Sequence, residues 1–201
     1  MPHASRDPGI RTERLVLSRL VAADAPAVFA YRSAPAVSHY QNFAPESAAQ
    51  VEAFIARAAD VAFDTPGAWF QFAIREREGG PAVGDVGVHV RGDDPRQAEI
   101  GITLDPAVQG RGYAAEAMAG VIGHLFGPGG KHRVFASVDP RNGPSVRLLE
   151  RLGLRREAHF RQSLWFRGGW ADDVVYAMLA AEWRSDATGG SSARSPAEES
   201  R

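Results

Sequence analysis

Apolar residues alternate with polar ones along some stretches of the chain and recur every three to four positions along others, and the switches between the two periods mark its elements. Arg14–Leu20 reads as a strand with Leu15, Leu17 and Arg19 on one side. Asp24 is placed as the N-cap of a helix that runs through Tyr31 and Arg32 and stops near Pro35. A second helix is predicted over Ser47–Phe63, where apolar residues at 51, 54, 55, 58 and 62 form one stripe. Trp69–Ile74 and Ala82–Val90 read as a hairpin turned at Gly79-Gly80-Pro81. Then follow a strand over Glu99–Leu104, a helix over Tyr113–Phe126, a short buried strand over Arg133–Val138 and a helix opened by Asn142 and stopped by Gly153. His159–Phe166 and Trp170–Leu179 make a last hairpin across Arg167-Gly168-Gly169. The order β-α-α-β-β-β-α-β-α-β-β combines hairpins with two βα crossovers, which predicts an α/β fold with a mixed sheet and not a doubly wound parallel one.

Composition narrows the setting. The chain has 201 residues, 44% of them hydrophobic, enough for one domain with a full core. Its formal net charge of −1 offers no bulk attraction to nucleic acid or to an anionic membrane. With no Cys, disulfides, thiolate metal sites and a Cys nucleophile are excluded. No apolar run approaches the ~18 residues of a spanning helix, and MPHASRDPGI lacks the apolar centre of a signal peptide, so a cytoplasmic location is expected. Residues 1–11 read as a loose arm, 12–184 as the folded domain and 185–201 as a disordered tail.

The segment from Ala98 to Gly120 carries the strongest chemical signal. A strand passes through Asp105-Pro106-Ala107-Val108 into a Gly-rich loop that opens directly into a helix. Gly110 and Gly112 let the backbone approach a ligand, and the free N–H groups at the helix start, with the positive end of its dipole, suit phosphate oxygens. Gly110-Arg111-Gly112-Tyr113-Ala114-Ala115 satisfies the dinucleotide pattern G-x-G-x-x-[GA], with Asp139 as the matching ribose-binding acid. The intervening Asp105–Val108 and the scarcity of further βα units count against that reading. Gln109 to Ala114 also satisfies [QR]-x-x-G-x-[GA], and here the chain resembles the GNAT superfamily of N-acetyltransferases. A second motif of that family, N-x-x-S…L-G, is matched by Asn142-Gly143-Pro144-Ser145 and Leu152-Gly153, and the whole element order fits the family. Within it, ERLVLSRL and RGGWADDVVYAML resemble the RimJ/RimL-like group.

The resemblance implies an acetyl-CoA-dependent transfer to a primary amine, of a protein N-terminus or a small molecule, by direct attack in a ternary complex. It implies a sheet splayed beside Glu99–Leu104, with Ile102 and Leu104 along the pantetheine arm. Gln109, Gly110, Arg111, Gly112, Tyr113 and Ala114 would hold the diphosphate, and Asn142 the arm. Ser145 would sit near the sulfur as proton donor to the leaving thiolate, or be only a first-turn residue. Glu99 is the candidate base although alternation sets it on the face opposite Ile102 and Leu104, a conflict that a bulge could remove. His89 and a water chain are the other two options. His39, Tyr40, Gln41, Phe43 and Trp170 are candidates to line the acceptor site. Of Asp172 and Asp173 at most one should face a cleft, with Asp173 the more natural solvated charge. Homodimers are common in the family, but no residue pattern marks an interface. A non-catalytic acyl-CoA sensor and a dinucleotide-dependent oxidoreductase remain as other classes.

Overall fold

The computed structural model describes residues 7–183. Eight strands form one sheet: β1 (Ile10–Arg11), β2 (Val16–Arg19), β3 (Trp69–Arg75), β4 (Gly84–Val90), β5 (Gln97–Leu104), β6 (Arg133–Val138), β7 (Arg155–Phe166) and β8 (Gly169–Leu179). Their spatial order is β1-β2-β3-β4-β5-β6-β8-β7, and β5–β6 is the parallel pair in an otherwise antiparallel sheet. This is the mixed sheet expected, and it rules out the doubly wound architecture that the dinucleotide pattern requires.

Helices α1 (Ala25–Arg32), α2 (Pro35–Ser38), α3 (Ala48–Ala59), α4 (Tyr113–Phe126) and α5 (Gly143–Arg151) cover both faces. On one face Phe72, Val86, Val88, Ile100 and Leu104 pack against Met118, Val121 and Ile122 of α4 and Leu148 and Leu149 of α5. On the other, Ala73 meets Val28 and Tyr31 of α1 and Val51 and Ile55 of α3. Strand alternation sorts the residues between the two faces. Along β3, β4 and β5 the second face carries Trp69, Gln71 and Ala73, then Asp85, Gly87 and His89, then Glu99, Gly101 and Thr103.

Two buried ion pairs fasten the α1 side to the sheet. The Asp85 carboxylate accepts from Arg32 Nε at 3.0 Å and from the Tyr31 hydroxyl at 2.7 Å, with its side chain 1% exposed. Burial and the Asp85 charge push the Tyr31 hydroxyl far above its ordinary pKa, so it remains a donor. Burial alone would weaken the Arg32 charge, but Asp85 more than offsets this and raises its pKa. Arg75 likewise donates two bonds of 2.8 Å to Asp24.

Several expected boundaries shift. Ile10 and Arg11, expected in a loose arm, pair with β2, because Ile10 is buried in the core. The arm's Asp7 also chelates Arg19. Asp24 does not cap α1 with its side chain; it closes a turn back onto Val21 N at 2.9 Å and serves Arg75. Helix α3 stops at Ala59, and Phe63 instead packs edge-on against Phe70 at 5.3 Å. Strand β7 starts at Arg155, four residues before the alternation becomes visible. The tail expected over 185–201 lies outside the described residues.

Candidate active site

Strands β5 and β6 are in register at Gln97↔Arg133, Ala98↔Val134 and Glu99↔Phe135 and then part. A cleft of about 440 Å³ occupies the gap. Its lining comes from both faces: Ile100, Ile102, Met118 and Leu148 from the α4/α5 side, and Glu99, Gly101, Thr103 and Gln71 from the α1/α3 side. The cavity therefore passes through the sheet. This removes the difficulty over Glu99 without a bulge, since the β4–β5 register runs unbroken from Gly84↔Leu104 to Val90↔Ala98. Glu99 and Ile102 do face opposite ways, and the cleft reaches both.

At the far end of β5, Asp105 caps a single 3-10 turn through Ala107 N at 2.8 Å. Gln109 Nε2 then donates to Leu104 O at 3.1 Å, so its side chain fixes the turn. Gly110 and Gly112 take φ of 78° and 83°, the left-handed region in which a Cβ is strained. Gly112 has a second constraint, because a Cβ there would lie 3.3 Å from an Arg14 nitrogen. No side chain caps α4, and Glu116 N to Gly112 O at 3.1 Å is its first helical bond. The N–H groups of Tyr113, Ala114 and Ala115 thus lack helical partners, an arrangement that suits an anion. Arg111 stands 3.6 Å from Glu76, both about half exposed, a weak pairing that leaves its charge at the loop.

On the opposite lip, Asn142 Oδ1 accepts from Ser145 N at 3.3 Å as the N-cap of α5. Both residues line the cleft, so capping and access to a ligand coexist. Across from them burial pushes the Glu99 carboxyl up; the charge of Asp173 adds to this and that of His89 opposes it. His89 is the cross-strand neighbour of Glu99, but it stacks on Trp69 at 5.1 Å and stands behind Glu99, outside the lining. The set offers a half-buried carboxylate, a hydroxyl across the gap and a row of open backbone donors. Such groups can accept a proton from an amine, donate one to a leaving group and hold phosphate.

Tyr40, Gln41 and Phe43 line the cleft. The Tyr40 hydroxyl reaches Arg141 O at 3.3 Å, and Phe43 stacks on Phe54 at 4.7 Å. Trp170 does not belong there. It is 62% exposed on the reverse side of β8, paired edge-on with Trp165 at 5.3 Å, because Ala171 and Asp173 take the inward phase. His39 is exposed against the Tyr40 ring, outside the lining. Asp173, expected as a solvated charge, instead faces inward and accepts from the Ser137 hydroxyl at 2.6 Å. Asp172 sits at the rim, where the Gln162 N–H and His159 hold its carboxyl below the usual range. Asp139 is not a free ribose ligand; it is tied to Arg141. Sequence reading missed Gln71, Trp69 and the floor glycines Gly87 and Gly101, although glycine inside a strand is itself a sign of close approach.

Comparison with known proteins agrees with this geometry. A profile of the acetyltransferase (GNAT) domain matches residues 14–155. The chain belongs to the GNAT N-acetyltransferase family. Its relatives include N-acetyltransferase p20 of Bacillus licheniformis, uncharacterized in activity, at 30% identity over 173 residues, 86% of this chain and 96% of that protein. YnaD of Bacillus subtilis is 36% identical over 85 residues, spanning 42% of this chain and half of that protein. A crystal structure of a GNAT-family acetyltransferase from Bacillus anthracis superposes with a TM-score of 0.76 at 27% identity, covering 87% of this chain and all of that one. Ribosomal-protein acetyltransferases are among the relatives and structural neighbours, as the RimJ/RimL resemblance implied. The family's acyl donor is acetyl-CoA.

Proposed function

We propose that this GNAT acetyltransferase receives acetyl-CoA at the α4 loop and a primary amine from the α1/α3 side, the two meeting in the β5–β6 gap. The observation that carries this reading is the cavity passing through the sheet between a bare helix terminus and a half-buried carboxylate. The open N–H groups at Gly112–Ala115 and the Arg111 charge hold the diphosphate. The divergent edges of β5 and β6, with Asn142, hold the pantetheine arm along Ile102 and Leu104. When bound, acetyl-CoA supplies an activated acyl carbon and a thiolate leaving group. Asp173 holds the incoming ammonium in place, and Glu99, directly or through water, takes the proton it must lose before the neutral nitrogen attacks. Ser145 donates to the departing sulfur; the chain has no Tyr between Tyr113 and Tyr176 to do so. Tyr40 and Phe43 form the wall against which the acceptor lies. Among the described residues no helix is long and apolar enough to cross a membrane, and acetyl-CoA is an intracellular metabolite, which together support a cytoplasmic setting.

Calorimetric titration with acetyl-CoA, followed by a free-thiol assay over a panel of amines, tests the reading. One-to-one binding in the micromolar range and amine-dependent thiol release are expected. Absence of binding overturns the loop assignment, and binding with no turnover on any amine leaves an acyl-CoA sensor.

A further inference from the structure

Gln71 is 8% exposed, yet its Oε1 is the buried side-chain polar atom left without a hydrogen-bond partner among the described residues. Its backbone carbonyl is used, accepting from Leu20 N at 3.0 Å, so the unmet capacity belongs to the side chain alone. A buried acceptor without a donor costs about 1–3 kcal/mol, and such a group in a cleft marks where a ligand supplies the missing partner.

The floor around it has a definite shape. Register puts Gln71, Gly87 and Gly101 in one row across β3, β4 and β5. A Cβ on Gly87 would stand 3.0 Å from the Trp69 ring and 3.1 Å from Gln71 Nε2, so the indole and the carboxamide both lean over that glycine. A Cβ on Gly101 would meet nothing within 4 Å. The row is a trough open over Gly101 towards Glu99, Ser137 and Asp173, and closed over Gly87 by the Trp69 ring and the Gln71 amide. Strands are spaced about 4.8 Å apart, so roughly 5–10 Å separates the amide from the β5–β6 gap.

Charge differs between the two ends. Glu99 and Asp173 stand at the gap, whereas Asp85, on the strand beside Gln71, is already taken by Arg32 and Tyr31. A second cation at the Gln71 end would find no free counter-charge and would lie near the Arg32 guanidinium. An uncharged donor suffers neither penalty.

Resting on the acetyl-transfer reading above, we infer that Gln71 is a specificity residue for an acceptor amine bearing an uncharged hydrogen-bond donor, a hydroxyl or an amide N–H, roughly 5–10 Å from its nucleophilic nitrogen. The amine nitrogen lies at Glu99 and Asp173, the connecting chain lies over Gly101, and the distal group meets the Gln71 amide where it overhangs Gly87 beside Trp69, donating to Oε1. Sites built to bond a substrate hydroxyl or N–H discriminate strongly against the analogue that lacks it, because the protein's own polar group is then left unpaired.

The test compares kcat/KM for linear primary amines, butyl to hexyl, ending in methyl, hydroxyl, carboxamide or ammonium. In the wild-type protein the hydroxyl or carboxamide compound of the best length should exceed the methyl compound by roughly tenfold or more. Gln71→Leu should erase that preference by losing rate on the polar-ended amine while keeping rate on the alkyl one, with acetyl-CoA affinity unchanged as evidence of an intact fold. Gln71→Glu should move the preference to the diamine. Equal rates across end groups in the wild-type protein, or a uniform loss in Gln71→Leu, overturn the inference while leaving acetyl transfer standing. No turnover of any amine removes the acetyl-transfer reading and this inference with it.

Discussion

Removing the Asp85 carboxylate tests how the α1 side of the cleft is held. Asp85→Ala deprives three donor groups of their acceptor: Arg32 Nε, the second Arg32 nitrogen and the Tyr31 hydroxyl. The guanidinium left behind is 8% exposed, so water cannot replace the lost partner without opening the α1–sheet contact. Breaking one side of a buried pair costs about 3–5 kcal/mol, and a domain of this size loses about 2–4 °C of Tm per kcal/mol, so a fall of about 6–20 °C is expected. Urea unfolding should show the same loss as a lower midpoint at unchanged slope. The triple variant Tyr31→Phe, Arg32→Met, Asp85→Leu removes every orphaned group and should recover most of it, since apolar replacements of a buried pair are often near neutral. The reasoning is refuted if Asp85→Ala shifts Tm by less than about 3 °C. It is equally refuted if the triple variant is no more stable than the single one.

Three further outcomes follow from the site. Gly112→Glu places a strained, negatively charged side chain against Arg14 in the anion terminus and should abolish acetyl-CoA binding by calorimetry; unchanged affinity removes the loop assignment. Ser145→Ala should lower kcat about 10²–10⁴-fold with little change in acetyl-CoA affinity, and unaffected turnover makes the serine a helix residue only. Glu99 must be deprotonated to act, so the rate should rise with pH through a carboxyl pKa above its ordinary 4.5, and Glu99→Gln should lose that limb. Linkage gives a second sign: a raised acid stabilises the fold below its unfolded pKa and loses that contribution as pH rises through the folded value. Glu99→Gln should therefore be relatively more stable at neutral pH than at pH 4 in thermal melts, and the opposite trend counts against burial as the cause.

What could be read from the chain divides by range. The β5–loop–α4 segment was legible because its chemistry is local: the glycines, the turn and the helix start are contiguous, and main-chain geometry follows from residue type. Asn142 and Ser145 were legible for the same reason. Trp170 was misplaced and Asp173 undervalued because a two-residue repeat fixes only which residues share a face, and the β6–β8 register decides which face looks inward. Gln71, Gly87 and Gly101 were missed because they come from three strands that only the sheet register aligns. Glu99 was read on the correct side of β5, but the cleft was imagined on one face of the sheet. What periodicity cannot express is a gap between strands, and the gap is where the two faces meet.

The division of the sheet also explains why the cleft opens where it does. Helices α4 and α5 cover their face with an apolar layer that opens only at the cleft. On the other face α1 and α3 pack over β2–β4, and no helix among the described residues covers β5, β6 and β8. On that uncovered part Glu99, Gly101, Ser137 and Asp173 stand beside Phe135 and Val175, where the covered face has Ile100, Ala136 and Val174. A roof held by α1 must then be fixed sideways, since it has no full layer of side chains to rest on. The buried pairs Arg32–Asp85 and Arg75–Asp24 do this from the sheet side. At the outer edge Arg167 in the last hairpin reaches Ser38 O at 2.7 Å. Both ends of the roof are thus pinned by polar contacts, and the space between them is left for a ligand with polar groups of its own.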